Sequence, residues 1–173
     1  MQTFYALRRP SDETSKTGRQ ELERASGKAV TTRKNGARYS SAVTERRTFI
    51  TGRPWEAKVG FARAVRIGPA IEISGCAPTD RFGKTVGGRD IYKQTRQCLL
   101  VIQEALAGVG AGLEDVTRTR IFTTEPRKWR EIGRAHEEVF GAIKPVNSLI
   151  AVRGFIDPQW MVEVEASAFR AEK

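Results

Sequence analysis

Glu163 and Glu165 are spaced by two in the run MVEVEASAFR, so a strand places both carboxylates on one face and Val162, Val164, Ala166 and Ala168 on the other. Two carboxylates so placed can carry general acid–base chemistry. They can equally be the wet side of a half-buried strand. The chain's one histidine, His136, falls on the apolar stripe of a helix. With no second histidine and no cysteine cluster beside it, a packed histidine is a better reading than a metal ligand. Cys76 follows Ser74-Gly75 at a strand end, where a thiol can face a cleft or act as a small buried hydrophobe. The stretch KPVNSLIAVRGF poses a further question, because the apolar residues 149–152 are entered on Asn147 and left on Arg153, which period two puts on one face. Asn147 can also do no more than cap a turn after Pro145. GxSxG, P-loop and GxGxxG patterns are all absent from the sequence.

The elements that must position these groups begin well into the chain. Of 173 residues, the first 47 hold 11 Lys/Arg against 5 Asp/Glu, and much of the net charge of +10 lies there. That segment lacks a sustained apolar period. It reads as a basic, disordered N-terminal extension (residues 1–47), with at best a short helix over 19–25, or as an extended translation start. A basic tail can bind phosphates, but no aromatic-basic platform accompanies it, so nucleic acid is not the expected partner. Two cysteines without a CxxC suit a reducing compartment. Neither a secretory leader nor an apolar run of the ~20 residues a membrane span needs is visible. The expectation is a cytoplasmic protein with one domain over 48–173 and no membrane partner.

Within that domain the pattern predicts strands in RRTFIT, FARAVRIG, AIEISGCAP, DVTRTRIFTT, the residues after Pro145, and MVEVEASAFR. RPWEAKVG reads as a loop, and Gly68-Pro69 as the turn between two strands. A helix capped by Asp90 carries the stripe Ile91, Thr95, Cys98, Leu99, Ile102 and Leu106. A second, opened by Pro126, carries Trp129, Ile132, His136, Val139 and Phe140. The order β-β-β-α-β-α-β-β predicts an α+β fold: a mixed, partly parallel sheet with two helices on one face. The other face then carries Asn147, Arg153, Glu163 and Glu165, to be solvated or covered by another subunit.

The motifs GFARAVRIG, EISGCAP, Gln94, Leu106, GAGLEDVTRTRIFTTEPRKW, KPVNS and VEVEASA, in that order between Trp55 and Phe169, resemble the RidA/YjgF/YER057c family of reactive-intermediate deaminases. The resemblance implies a chorismate-mutase-like fold, a homotrimer, and small-molecule clefts between adjacent subunits. In the deaminating branch an arginine two residues after the proline equivalent to Pro145 holds the substrate carboxylate as a planar fork. A water linked to a glutamate then attacks the imine carbon, releasing ammonia and a 2-oxo acid. The corresponding positions here are Asn147 for the arginine, Glu163 for the glutamate, Phe61 for a pocket tyrosine, and Ser74 and Gly75 for the family's Ser-Gly. Leu149 and Arg153 complete the expected binding set, with Glu163 the expected catalytic residue. No metal or organic cofactor is implied.

An amide at 147 brings no charge, and losing a desolvated charged contact costs about 2–5 kcal/mol. The standard 2-imino acid activity is therefore not carried over unchanged, and three readings stay open. One is an enamine- or imine-type hydrolase releasing ammonia, with Arg63, Arg120 or Arg153 as a substitute anchor. The second is a non-catalytic protein that binds a small metabolite. The third, more distant, is RNA binding or cleavage.

Overall fold

The computed structural model describes residues 45–171. The expected disordered extension and its short helix therefore lie outside the described residues, apart from Glu45, Arg46 and Arg47. Arg46 and Arg47 already belong to a strand, so the domain starts slightly earlier than position 48. The elements run β1 (Arg46–Phe49), α1 (Pro54–Val59), β2 (Ala64–Ile67), β3 (Ala70–Cys76), α2 (Ile91–Gly108), β4 (Val116–Thr123), α3 (Trp129–Phe140), β5 (Val146–Ala151) and β6 (Val162–Phe169).

Six strands form one sheet in the order β1-β2-β3-β6-β4-β5. The β4–β5 pair alone is parallel, joined through α3; the other four pairings are antiparallel. Chain order explains this. A helix returns the chain to the same end of the sheet, so β5 starts where β4 started, whereas β6 inserts between β3 and β4 and runs against both. Gly68 holds φ 56° at the first position of the two-residue β2–β3 turn, a conformation that Cβ-bearing residues resist.

Asp90 caps α2 by accepting from Lys93 N at 3.1 Å. The expected α2 stripe is buried in full: Ile91, Thr95, Cys98, Leu99, Ile102 and Leu106. It packs on Ile71, Ile73, Val164, Ala166 and Ala168 of the sheet, and Ile132 and Phe140 of α3 complete the layer. Burying each large aliphatic side chain contributes about 1.5–3 kcal/mol, so this interface fixes the sheet beneath the site.

Four expectations need correction. RPWEAKVG is not a loop; Pro54 opens the helix α1 and Gly60, at φ 79°, ends it. Trp129 leaves the inner stripe of α3 and is 53% exposed, because a 3-10 turn over Pro126–Lys128 starts the helix only at Trp129 itself. A register shift between Val116 and Arg118 moves Val116 to the helix side, away from Arg118 and Arg120. The fourth concerns β5. Asn147 pairs with Thr119, a fully buried residue on the helix side, so Asn147 is on that face and not beside Glu163. Leu149, opposite Ile121, shares its side. The open face of β5 carries Val146, Ser148 and Ile150 instead.

Candidate functional site

β3 does not run smoothly past β6. Its register shifts between Ile73 and Cys76, so Ser74 and Gly75 bulge. The bulge is filled from both sides. On one side is Glu163, whose carboxylate lies where a side chain at Gly75 would project; a Cβ there would collide with Glu163 Oε1 and Cδ. On the other is Arg63, whose Nη1 donates to Gly75 O at 2.6 Å and whose Nε donates to Glu56 Oε1 at 2.9 Å. Glu56 in turn accepts from Thr51 Oγ1 at 2.6 Å and from Gly52 N at 3.0 Å. The Arg63–Glu56 pair is almost wholly withdrawn from water. The helix missed in the sequence is thus what carries the counter-ion for the arginine that braces the bulge.

These groups face a cavity of about 290 Å³. Its polar lining includes Arg53, Arg63, Ser74, Thr79 and Glu163, and its larger apolar walls are Trp55, Val59, Phe61, Ile156 and Trp160. Gln94, fully buried on α2, fixes the segment on either side of Trp160: Nε2 donates to Gly88 O at 2.6 Å and Gln159 O at 2.9 Å, and Oε1 accepts from Met161 N at 2.8 Å. Trp160 Nε1 donates to Thr85 Oγ1 at 3.1 Å. The size and the mix of apolar walls with a few converging polar groups suit a small organic molecule.

Burial pushes the Glu163 carboxyl above its ordinary value of 4.5; the Arg63 charge opposes that, and Glu165 adds to it. A carboxyl shifted in this direction is a better proton acceptor than an exposed carboxylate, which is the property a general base needs. Glu165 is occupied differently, paired with Arg120 Nε at 2.8 Å. Cys76 is fully buried and burial pushes its thiol up to about 12, so it is no nucleophile at neutral pH. His136 is likewise structural. Its Nε2 lies 2.9 Å from Thr119 Oγ1, and its ring packs against Phe140 at 4.9 Å. Burial holds its pKa below the ordinary 6.5. Thr119 Oγ1 donates to Asn147 Oδ1 at 3.1 Å; a hydroxyl has one proton, so His136 Nε2 is the donor in the other bond.

Of the expected site residues, Phe61, Ser74, Gly75 and Glu163 line this one cavity. Asn147, Leu149 and Arg153 do not; within one chain they stand on exposed β5 and the loop after it. Arg63 lines the cavity, Arg120 is committed to Glu165, and Arg153 lies away from both. Sequence reasoning missed Arg53, Trp55 and Trp160. The Pro at the start of α1 and the Trp beside it were the available signals for the first two. Among the described residues, no group of three or more His, Cys, Asp or Glu side chains could hold a metal ion, and no helix is long and apolar enough to cross a membrane.

A six-stranded mixed sheet with its helices on one face and a Ser-Gly bulge facing a strand glutamate define the α+β class to which the chain belongs. The family model described as endoribonuclease L-PSP matches residues 50–170. The chain is 39% identical over 124 residues to an uncharacterized protein of Streptomyces coelicolor, covering 72% of this chain and 92% of that protein. It is 27% identical to a RutC family protein of Pyrococcus abyssi, over 64% of this chain and 86% of that one. A solved Mycobacterium tuberculosis member of the YjgF/YER057c/UK114 family superposes with a TM-score of 0.67 at 41% identity, covering 73% of this chain and 100% of that one. The chain belongs to this RidA/YjgF family and has its chorismate-mutase-like α+β fold.

Proposed function

We propose that the protein hydrolyses the C=N bond of a small imine or enamine-derived imine and releases ammonia. The observation that carries this reading is Glu163: a carboxyl raised by burial, set against the Gly75 bulge at the wall of a largely apolar cavity. Glu163, as the carboxylate, takes a proton from a water as the water oxygen bonds to the imine carbon; the C=N π pair moves to nitrogen, and Glu163 hands its proton to that nitrogen. The resulting carbinolamine passes its hydroxyl proton through Glu163 to the amino nitrogen, the C–N bond breaks as the C=O bond forms, and ammonia departs with a carbonyl compound as the other product. No redox change occurs and no cofactor is required by this chemistry.

We take the working assembly to be a homotrimer in the cytoplasm. Family membership supports the trimer, as does β5, an edge strand with every residue exposed and with Val146, Leu149 and Ile150 among them. In such an assembly Asn147, Leu149 and Arg153 would act on a neighbouring protomer's cavity.

A second reading, a binding protein without chemistry, is favoured by one observation: Asn147 is bonded to Thr119 and offers no charge. RNA binding, suggested by the family model's description, has less support, since Arg120 on the open sheet face is neutralised by Glu165. The test is hydrolysis of 2-imino acids generated in situ by an amino-acid oxidase, comparing wild type with Asn147→Arg. Activity in either supports the hydrolase reading. Inactivity of both on a broad imine panel sinks it and leaves the binding protein.

A further inference from the structure

Three buried side-chain polar atoms lack a hydrogen-bond partner among the described residues: Arg53 Nε, Arg53 Nη1 and Ser74 Oγ. All three belong to residues that line the Glu163 cavity. Buried polar groups in folded proteins are almost always paired, so a cluster of exceptions at one cavity marks a place where a ligand supplies the partner. Arg53 is 5% exposed and precedes α1. Nη2 donates to Glu104 Oε2 on α2 at 3.0 Å, which leaves most of the five guanidinium N–H groups uncommitted.

The other arginines are not free to do this. Arg63 is bound on both sides, to Glu56 and to Gly75 O. Arg120 is held by Glu165. Arg153 does not line the cavity. We propose that Arg53, with Ser74 Oγ, binds the carboxylate of the ligand in the Glu163 cavity, so that the ligand is a small organic carboxylate whose apolar part lies against Trp55, Phe61 and Trp160. The guanidinium is a buried cation with unspent donors, and a carboxylate is the anion it matches best. The aromatic walls select an organic acid over an inorganic anion. Arg53 thereby takes the task for which Asn147 has no charge, from a different element. This rests on the reading that the cavity is the ligand site.

The test is calorimetric titration of the full chain with 4-methyl-2-oxopentanoate and with its uncharged amide, in wild type, Arg53→Met and Arg53→Lys. Wild type binds the acid at least tenfold more tightly than the amide. Arg53→Met abolishes that preference, the acid falling to within threefold of the amide's affinity for the same variant. Arg53→Lys, which keeps the charge but not the planar donors, weakens acid binding threefold or more; with the wild-type acid–amide comparison it decides the matter if Arg53→Met does not fold. Equal affinity of wild type for acid and amide, absence of acid binding up to millimolar, or an undiminished acid preference in the Arg53 variants overturns the proposal. The hydrolase reading fails separately: Arg53-dependent acid binding without imine turnover refutes the chemistry and keeps the anchor. Imine turnover with unchanged binding in Arg53→Met does the reverse.

Discussion

At the scale of single residues, two carboxyls near one arginine are driven in opposite directions. Burial pushes the Glu56 carboxyl up, but bonds from Thr51, Arg63 and Gly52 outweigh it and hold the group below 4.5. Burial wins at Glu163, which is raised. The stability consequences have opposite signs. Folded Glu163 holds its proton more tightly than the unfolded chain, so its contribution turns unfavourable as pH rises from about 4.5 through its folded value. Urea titrations of wild type and Glu163→Gln are therefore expected to show the variant gaining relative stability above that window, with no such gain below it. Glu56 contributes stability above its unfolded value that disappears in acid. Glu56→Gln removes the counter-ion of a buried arginine, and the expected cost is about 3–5 kcal/mol in urea unfolding at neutral pH. A loss below about 1 kcal/mol, the scale of an exposed pair, would contradict the bracing role given to Arg63.

At the scale of elements, the bulge in β3 and the end of α2 are each built around a glycine for lack of space. A Cβ at Gly108 would collide with the Phe49 ring, which docks β1 on the end of α2. Gly→Ala inside a helix ordinarily stabilises; here overpacking reverses the sign, and a loss of about 1–3 kcal/mol is expected in thermal or urea unfolding. Gly75→Ala meets only the side chain of Glu163, and no backbone. It is expected to fold, with a larger effect on imine turnover than on melting temperature. The sequence shows such elements unevenly. The α2 stripe and the alternation Val162, Val164, Ala166, Ala168 were legible because one face is apolar and the other polar throughout. β5 was not: Leu149–Val152 is apolar without alternation, so nothing in it states which residues face the helices, and the side assigned to Asn147 was one step out of phase. α1 is a six-residue helix, too short for a periodic signal. Arg53 was hard to single out, since the neighbouring Pro54 and Trp55 are its only local signal and the two guanidinium nitrogens without a partner are visible only in the folded chain.

At the scale of the whole molecule, the sheet has one face covered by α2 and α3 and another bearing Val65, Ile67, Phe122, Val146, Ile150 and Phe169 among its polar residues. Ile67 is 45% and Phe169 56% exposed in the single chain. The family resemblance makes this face the expected interface of the proposed trimer, whereas composition alone offers only an unassigned polar face. Sedimentation equilibrium is expected to return three protomers, and Ile150→Asp is expected to shift the distribution toward monomer. A monomeric wild type at micromolar concentration would refute the trimer.

The most direct test of the central claim is the rate of imine hydrolysis by wild type and Glu163→Gln, on 2-imino acids formed in situ at neutral pH. The substitution keeps the shape of the side chain and removes its ability to exchange a proton. A fall of about 10²–10⁴-fold in turnover is the predicted result. Equal turnover in the two proteins would show that Glu163 does not perform the chemistry of this cavity.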